Sequence, residues 1–379
     1  MHITLFLGYE NMKKTVTIIF IAMLLSSAVV VQAETQNKNV KKCELPSYFS
    51  WQDINGTDYT TPIKDQSPAP TCETYALCAS LETIMQYQME ELYEPDLSET
   101  HLYFYAGGTY RAGYVNLMDA ADYLIEHGVP DEGCYPDPHR AYDYPFESLE
   151  GWENRTVKIQ SWGWVEHDEE AIKTALIEYG PLVICHYVWK DYQYYLGGVY
   201  KHRWGRLVGG HVVAIIGYDD SEECWIVKNS WGTKWGENGY FRMSYDADMF
   251  AGWYGEDTGI MYLEGVYGNL KPDVPKIQIE KPKIFKKYIF GREFSTIFRL
   301  NRLHFQASAP RIIGGLKVET SVENANKVEF YIDDELKYTD NYEPFEWNLE
   351  SSFGLHTLKV LAYNNHNISQ DIRDIFVLI

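Results

Sequence analysis

The hydrophobic pattern of this chain changes its period at Gly180-Pro181, and this change constrains the fold more than any other feature of the sequence. Before it, apolar residues recur at helical spacing, and after it they form short β-rich runs separated by turns. Helices followed by strands are typical of an α+β domain whose two halves are segregated, with a groove between them that suits a binding site. We expect helices at 72–91, 114–127 and 168–179, and strands at 181–187, 211–218, 224–228 and 240–244.

The charge of the chain is strongly negative and unevenly placed. The formal net charge is −21 at pH 7. The acidic excess falls within 45–270, whereas acidic and basic residues balance in 271–379. The acidic part either keeps the protein soluble or selects basic substrates. A negative charge of this size argues against a nucleic-acid partner, because binding a phosphate backbone requires positive side chains.

The composition break near residue 270 predicts a domain boundary. Residues 271–290 carry three prolines and six lysines, which is typical of a stiff linker. Residues 291–379 contain strand runs but no helix-period segment, which favours a small all-β sandwich. The clearest of these strand runs are 327–332 and 356–363.

Residues 1–33 are typical of a secretion signal. Two lysines precede an apolar run at 16–31, and Val31 and Ala33 are small enough for cleavage after residue 33. The run is slightly long for a signal core and slightly short for a membrane span, so an uncleaved anchor is the alternative. Cleavage would leave 34–44 as a short pro-segment or linker. We expect the protein to be secreted or held at the cell surface.

The six cysteines do not form a metal-binding pattern. Secretion permits disulfides, but none of the spacings matches a zinc site, and we expect no metal and no cofactor. If one cysteine stays free for chemistry, the other five cannot all pair within the chain. Cys78 lies in a predicted helix, where core packing is expected. Cys185 and Cys224 lie in predicted strands, where either core packing or a disulfide is expected.

Three residues suit a thiol nucleophile and its base. Cys72 begins a predicted helix, whose dipole favours the thiolate. His211 heads an apolar strand, and Asn229 ends the next one, where its amide oxygen can hold one tautomer of an imidazole. Each residue alone also has an ordinary explanation, as an inert cysteine, a core histidine and a turn asparagine. Their combination is what indicates catalysis.

Residues 45–268 resemble the papain-like cysteine proteases. The most specific match is Lys-Asn-Ser-Trp at 228–231, followed by Trp-Gly-Glu-Asn-Gly-Tyr at 235–240. Further matches are Thr-Pro-Ile-Lys-Asp-Gln at 61–66, a cysteine six residues after that glutamine, and Gly-His-Val-Val-Ala at 210–214. The resemblance implies an α+β domain over 45–270 with two lobes, one helical and one β-rich.

The resemblance also implies a role for each residue of the site. Cys72, His211 and Asn229 would be the catalytic residues. Gln66 and the backbone N–H of Cys72 would form the oxyanion hole. Trp231 would shield the contact between Asn229 and His211 from water.

The sequence departs from the family pattern at the nucleophile. The family usually has Cys-Gly-Ser-Cys-Trp there, whereas this chain has Ala-Pro-Thr-Cys-Glu at 69–73. The alanine removes a structural disulfide of the family, and Glu73 replaces a tryptophan. A carboxylate there would either stabilise the protonated His211 or repel the thiolate. The Cys-Asn-Gly-Gly segment that helps the family bind substrate is also absent; Gly107-Gly108 and Gly113 are the candidates to replace it, and the subsite residues stay unassigned.

The tail, particularly 328–333 and 356–360, resembles immunoglobulin-like (Ig-like) surface modules of bacteria and archaea. Such a module would bind a cell surface or polymer, or act as a spacer. Together the resemblances imply a secreted or surface cysteine endopeptidase that cleaves peptides or proteins through an acyl-enzyme. Two alternatives stay open. One is a catalytically weak or inactive papain-fold protein that binds peptides, motivated by Glu73, and the other is acyl transfer or deamidation by the same thiol.

Overall fold

The computed structural model describes residues 45–67, 69–109, 114–137, 148–247, 259–269, 273–295, 309–350 and 353–378. The chain divides into two compact units, Met1–Pro46 and Ser47–Ile379, and the description below concerns the second. The expected signal at 1–33 and the segment 34–44 lie outside the described residues. Within the described ranges, no helix is both long and apolar enough to cross a membrane.

The α-helices lie in the first half of this unit. They are α1 (Cys72–Met89), α2 (Glu99–Tyr105), α3 (Leu117–Glu126) and α4 (Glu169–Tyr179), with short 3₁₀ turns at Trp152–Arg155 and Tyr192–Tyr194. Side chains of Ser98, Asn116 and Asp168 accept hydrogen bonds from first-turn N–H groups and so fix where α2, α3 and α4 begin. The three predicted helices are confirmed, although each is somewhat shorter. The sequence did not predict α2, because seven residues are too few to show a helical period.

An eight-stranded sheet forms the β-rich half of the same region. Its strand order is β3-β9-β4-β6-β7-β8-β5, and β1 pairs with β6. A separate pair is formed by β2 and β10. The four predicted strands are confirmed as β4, β6, β7 and β8. The bounds are β1 (Tyr48–Ser50), β2 (Val157–Lys158), β3 (Ser161–Trp164), β4 (Leu182–Trp189), β5 (Val199–Tyr200), β6 (Leu207–Asp219), β7 (Cys224–Lys228), β8 (Tyr240–Ser244), β9 (Ile260–Glu264) and β10 (Tyr267–Gly268).

The central strands β4 and β6 lie between two hydrophobic cores. Cys185 and Val212 belong to the core that contains the buried face of α1. Their neighbours Ile184 and Val213 belong to the core that contains α4. This division follows from strand geometry, because successive side chains point to opposite faces of a sheet. The helix that begins at Cys72 is therefore packed against one face of the strands that carry the histidine.

The described cysteines carry free thiols rather than disulfides. They are Cys72, Cys78, Cys134, Cys185 and Cys224, while Cys43 lies outside the described residues. Cys78 is fully buried, as predicted. Cys185 of β4 and Cys224 of β7 are buried free thiols, so of the two expectations for them core packing is confirmed.

The described residues after 273 form strands and no helix, as expected for 291–379. One sheet has the order β11-β15-β18 and the other the order β13-β12-β14-β20-β19-β16-β17. Buried side chains from both sheets, including Val318 and Phe330, form one core. The bounds are β11 (Lys276–Lys281), β12 (Lys286–Ile289), β13 (Arg292–Ser295), β14 (Arg311–Ile313), β15 (Leu316–Glu323), β16 (Lys327–Ile332), β17 (Glu335–Asp340), β18 (Glu346–Leu349), β19 (Gly354–Tyr363) and β20 (Ile368–Leu378).

The segment 271–290, predicted to be a linker, contains two strands of this region. β11 pairs with β15, and β12 pairs with β13 and β14. Ile279 is only 1% exposed and Tyr288 is fully buried. The prolines and lysines hid the strand pattern, because the lysines occupy the outer positions and leave few apolar residues to mark the inner face. The linker prediction does not hold for the residues of these two strands.

Arg155 connects the helical half to the beginning of β20. Its buried guanidinium pairs with both carboxylate oxygens of Asp131, with Nε 2.8 Å from Oδ2. Its Nη1 donates to the carbonyl oxygen of Ile368 at 2.5 Å. Beside this contact, the backbone N–H of Gln370 donates to the carbonyl oxygen of Gly133 at 2.8 Å. A bidentate charge pair with further hydrogen bonds is among the stronger polar contacts in proteins, and here it fixes the tail region against the helical half.

We expect Arg155→Met to loosen this contact, because the partly buried Asp131 carboxylate loses its partner. Hydrogen–deuterium exchange of the amide of Gln370 should accelerate about tenfold for each ~1.4 kcal/mol that the contact loses. Arg311→Met, which changes an exposed arginine of β14, is the control and should leave this exchange unaltered. Identical exchange in both variants would show that the contact does not depend on Arg155.

Candidate active site

Cys72 is the first residue of α1, so its sulfur lies where the helix dipole favours an anion. Burial raises the pKa of the thiol, and the negative charge of Glu73 raises it further. A backbone hydrogen bond from Val212 of β6 lowers the pKa but only in part, and the net result lies well above the usual value. The resting cysteine is therefore a thiol held against the strand that carries His211.

Glu73 is buried directly beside this thiol. The Cys72 Sγ donates to Glu73 Oε2 at 3.6 Å, and the glutamate is only 6% exposed. Burial raises the pKa of Glu73 to about 7, although hydrogen bonds from its own backbone and from Cys72 lower it. The pKa of His211 is lowered by burial and raised in part by its hydrogen bond with Asn229. Of the two effects considered from the sequence, the contacts favour repulsion of the thiolate.

His211, Asn229 and Trp231 lie together, as the sequence predicted. The His211 Nε2 is 2.8 Å from the Asn229 Oδ1, and the indole of Trp231 stacks on the imidazole with centroids 4.8 Å apart. Since an amide oxygen only accepts, Nε2 carries the proton in this contact and Nδ1 is left to exchange a proton. Burial lowers the pKa of His211 to about 4, and the bond to Asn229 opposes that shift.

Gln66 is held next to this group by the residue between Asn229 and Trp231. The Ser230 Oγ donates to Gln66 Oε1 at 2.6 Å, and the Gln66 backbone N–H donates to the Ser230 carbonyl oxygen at 2.9 Å. The Gln66 Nε2 donates one hydrogen to the Ala69 carbonyl oxygen at 3.0 Å. An amide nitrogen has two hydrogens, so the other is free to stabilise an oxyanion.

A comparison with known proteins agrees with this arrangement. A family model described as papain family cysteine protease matches residues 45–260. This chain belongs to the papain family of cysteine proteases.

The curated relatives cover different parts of the chain. Cathepsin B-like CP3 of Giardia intestinalis is 51% identical over 79 residues, which are 20% of this chain and 26% of that protein. Oryzain beta chain of Oryza sativa subsp. japonica is 29% identical over 219 residues, which are 55% of this chain and 44% of that protein. The chain thus spans about a quarter to less than half of the length of these relatives. Among solved structures, bromelain of Ananas comosus in complex with the E64 inhibitor is 29% identical, with a TM-score of 0.48 over 58% of this chain and 99% of that one.

This papain-family site contains a second histidine that sequence reasoning missed. His186 of β4 is fully buried and lies directly opposite His211 of β6, with ring centroids 5.6 Å apart. Burial lowers its pKa to about 3, and the charge of His211 lowers it further, so it stays neutral beside an imidazolium. Its only signal in the sequence is one polar residue within an apolar strand. Ser230 was also missed as the residue that orients Gln66.

A network of charged side chains, in which Glu82 and Glu99 are buried, connects α1 to the other segments of the papain-family site. Lys64 Nζ lies 2.9 Å from a carboxylate oxygen of Glu82 and 2.7 Å from one of Glu99. Glu82 is 1% exposed and accepts the Thr61 hydroxyl at 2.6 Å. Lys228 Nζ donates to the Thr61 carbonyl oxygen at 2.7 Å. The network therefore joins the segments that carry the oxyanion amide, the nucleophile and the asparagine.

We expect Glu82→Gln to lower the free energy of unfolding by about 2–4 kcal/mol, because a buried carboxylate that accepts from Lys64, the Thr61 hydroxyl and the Leu97 N–H is replaced by a neutral amide. Urea unfolding followed by circular dichroism measures the change. The matched control is Lys201→Met, which removes an ion pair with Asp246 whose side chains are 52% and 68% exposed. That change should cost less than about 1 kcal/mol. A loss for Glu82→Gln as small as for the control would contradict the role of the network.

Proposed function

We propose that this chain is a secreted or surface cysteine endopeptidase that hydrolyses peptide bonds through an acyl-enzyme on Cys72. The observation that carries the proposal is the 2.8 Å hydrogen bond between His211 and Asn229, covered by Trp231. It orients a buried base on the strand whose next residue, Val212, hydrogen-bonds to the nucleophile. An oriented base beside a cysteine at a helix N-terminus is the arrangement that thiol hydrolysis requires.

In the proposed reaction, the Cys72 thiolate attacks the carbonyl carbon of the peptide. The Gln66 amide and the backbone N–H of Cys72 donate to the oxygen as it becomes negative. The His211 imidazolium gives its Nδ1 proton to the amine nitrogen as the C–N bond breaks, and a thioester remains. Water then gives a proton to Nδ1 while its oxygen attacks the thioester. The acid product leaves, and thiolate and imidazolium are restored.

The proposal includes the setting of the enzyme. The partner is a peptide or protein substrate and not a nucleic acid, which the acidic charge of the chain supports. Secretion rests on the composition of 1–33. We place the peptidase domain at 45–270. The Ig-like module, predicted at 291–379, is proposed to begin at β11 and to contact a cell surface or a polymer, which two packed sheets around one core support.

We expect Cys72→Ala to abolish peptide cleavage and labelling by a thiol-directed epoxide, with little change in melting temperature because the thiol lies at a helix end. Cys78→Ala, in the core of the same helix, is the matched control and should keep activity while losing about 1–2 kcal/mol of stability. A fluorogenic peptide assay and thermal unfolding provide the two measurements. Robust turnover by Cys72→Ala would contradict the proposal. A folded wild type that binds peptides without cleaving them would support the catalytically weak alternative.

We expect Gln66→Ala to reduce kcat by about 10²–10³-fold with little change in KM, because the amide binds the oxyanion and not the ground-state carbonyl. Steady-state kinetics on the same peptide measure both constants. Gln193→Ala, which removes an exposed glutamine, should leave both unchanged. An unaltered kcat in Gln66→Ala would place the oxyanion donors elsewhere.

A further inference from the structure

The carboxyl group of Glu73 is buried against the reacting sulfur, and the catalytic steps above do not use it. Its Oε2 accepts the Cys72 thiol at 3.6 Å. In the described part of the chain, burial raises the pKa of Glu73, and hydrogen bonds from its own backbone N–H and from the thiol lower it. No cation of the described residues contributes to this shift. A buried carboxylate that lacks a positive partner is costly, so this group can change its charge near neutral pH.

The facing strands place titratable groups near Glu73 as well. On β4 the Cys185 thiol is close enough for the charge of Glu73 to raise its pKa. On β6 the imidazole of His211 is held by Asn229. Cys72 lies on the same helix. The groups that can become positive are the imidazoles of His211 and of His186 on β4, and burial lowers the pKa of both, to about 4 and about 3. The negative charge of Glu73 therefore acts on sulfur atoms, for which it disfavours the thiolate.

We propose that Glu73 is a proton switch on the nucleophile, so that the enzyme is active when this carboxyl is protonated and inactive when it is ionised. The inference rests on the proposed function. In the inactive form, the Cys72 thiol donates to the carboxylate and His211 is neutral. Uptake of one proton neutralises the carboxyl. The thiol proton then moves to His211 Nδ1, which yields the thiolate and imidazolium, and the Glu73 O–H becomes a donor to the sulfur.

The direction of the pH dependence follows from this proton count. The active form holds one proton more than the inactive form, so acid favours activity and alkali removes it. The pKa of Glu73, raised by burial to about 7, sets the midpoint. An ordinary cysteine behaves in the opposite way, because its thiolate fraction increases as the pH rises. The wild-type protein alone can therefore distinguish the two cases.

The first test measures the rate at which iodoacetamide alkylates Cys72 in the wild-type protein at pH 6 and at pH 8. Intact mass and peptide mapping report the modification, and Cys72→Ala corrects for the other thiols. A switch predicts slower alkylation at pH 8 than at pH 6. Alkylation that is faster at pH 8 would overturn the proposal. This measurement needs no turnover and no folded variant of Glu73.

The second test compares Glu73→Gln with the wild type, since the amide keeps a donor for the sulfur but cannot ionise. The ratio of alkylation rates, variant over wild type, should be near 1 at pH 6. It should rise to about 10 at pH 8, where about a tenth of the wild-type carboxyls stay protonated. Asp119→Asn, which removes an exposed first-turn carboxylate from α3, is the matched control and should give a ratio near 1 at both values. A ratio for Glu73→Gln that does not change with pH would overturn the proposal.

A peptide assay on the same samples separates this inference from the proposed function. If alkylation shows the expected pH dependence but peptides are not cleaved, the switch stands and the peptidase function fails. If wild type and Glu73→Gln cleave peptides with the same pH profile, the function stands and the switch fails. If both hold, kcat/KM of the wild type should fall about tenfold between pH 6 and pH 8, whereas kcat/KM of Glu73→Gln should stay the same.

Discussion

The ion pair between Lys64 and the buried carboxylate of Glu82 is the contact on which the rest of the site depends. The papain-family residues come from three distant parts of the chain, and each is placed by its own strand or helix. Glu82 belongs to the helix that begins at Cys72, and Lys64 belongs to the segment that ends at Gln66. Through Thr61, the same carboxylate reaches Lys228, the residue before Asn229. The relative position of the candidate nucleophile, oxyanion donor and asparagine therefore depends on Glu82, a carboxylate that is 1% exposed and costly to leave without its partners.

The residues of the candidate site were predicted from motifs whose residue types suit thiol chemistry. Gln66, Cys72, His211, Asn229 and Trp231 were each located from such motifs, and the structure brings the last three into contact. The sequence could not decide what Glu73 does, because the answer depends on which groups lie across from it. His186 was missed for a similar reason, since its importance comes only from the register that pairs it with His211.

The fold was predicted where hydrophobic periods are long and was missed where they are short or masked by charge. The predicted helices of residues 45–270 were found from apolar residues at helical spacing, and the predicted strands from short apolar, β-rich runs between turns. Helix α2 is too short to show a helical period. Strand β11 has a clear inner face only at Ile277 and Ile279, between lysines that suggested a linker. The contact of Arg155 with β20 could not be read from the sequence, because Arg155 and Ile368 are far apart in the chain and neither belongs to a motif.

Burial at the candidate site disfavours both charges of the proposed thiolate–imidazolium pair. It raises the pKa of the Cys72 thiol and lowers that of the His211 imidazole, so each charge alone is disfavoured. A thiolate and an imidazolium in contact are much less costly than either one alone, because each supplies the opposite charge that water would otherwise screen. In the proposed reaction the two charges therefore form together, when the thiol proton moves to His211. A third charge that contacts only one member of the pair shifts the equilibrium between the charged pair and the neutral pair most strongly. The carboxyl of Glu73 is in contact with the sulfur.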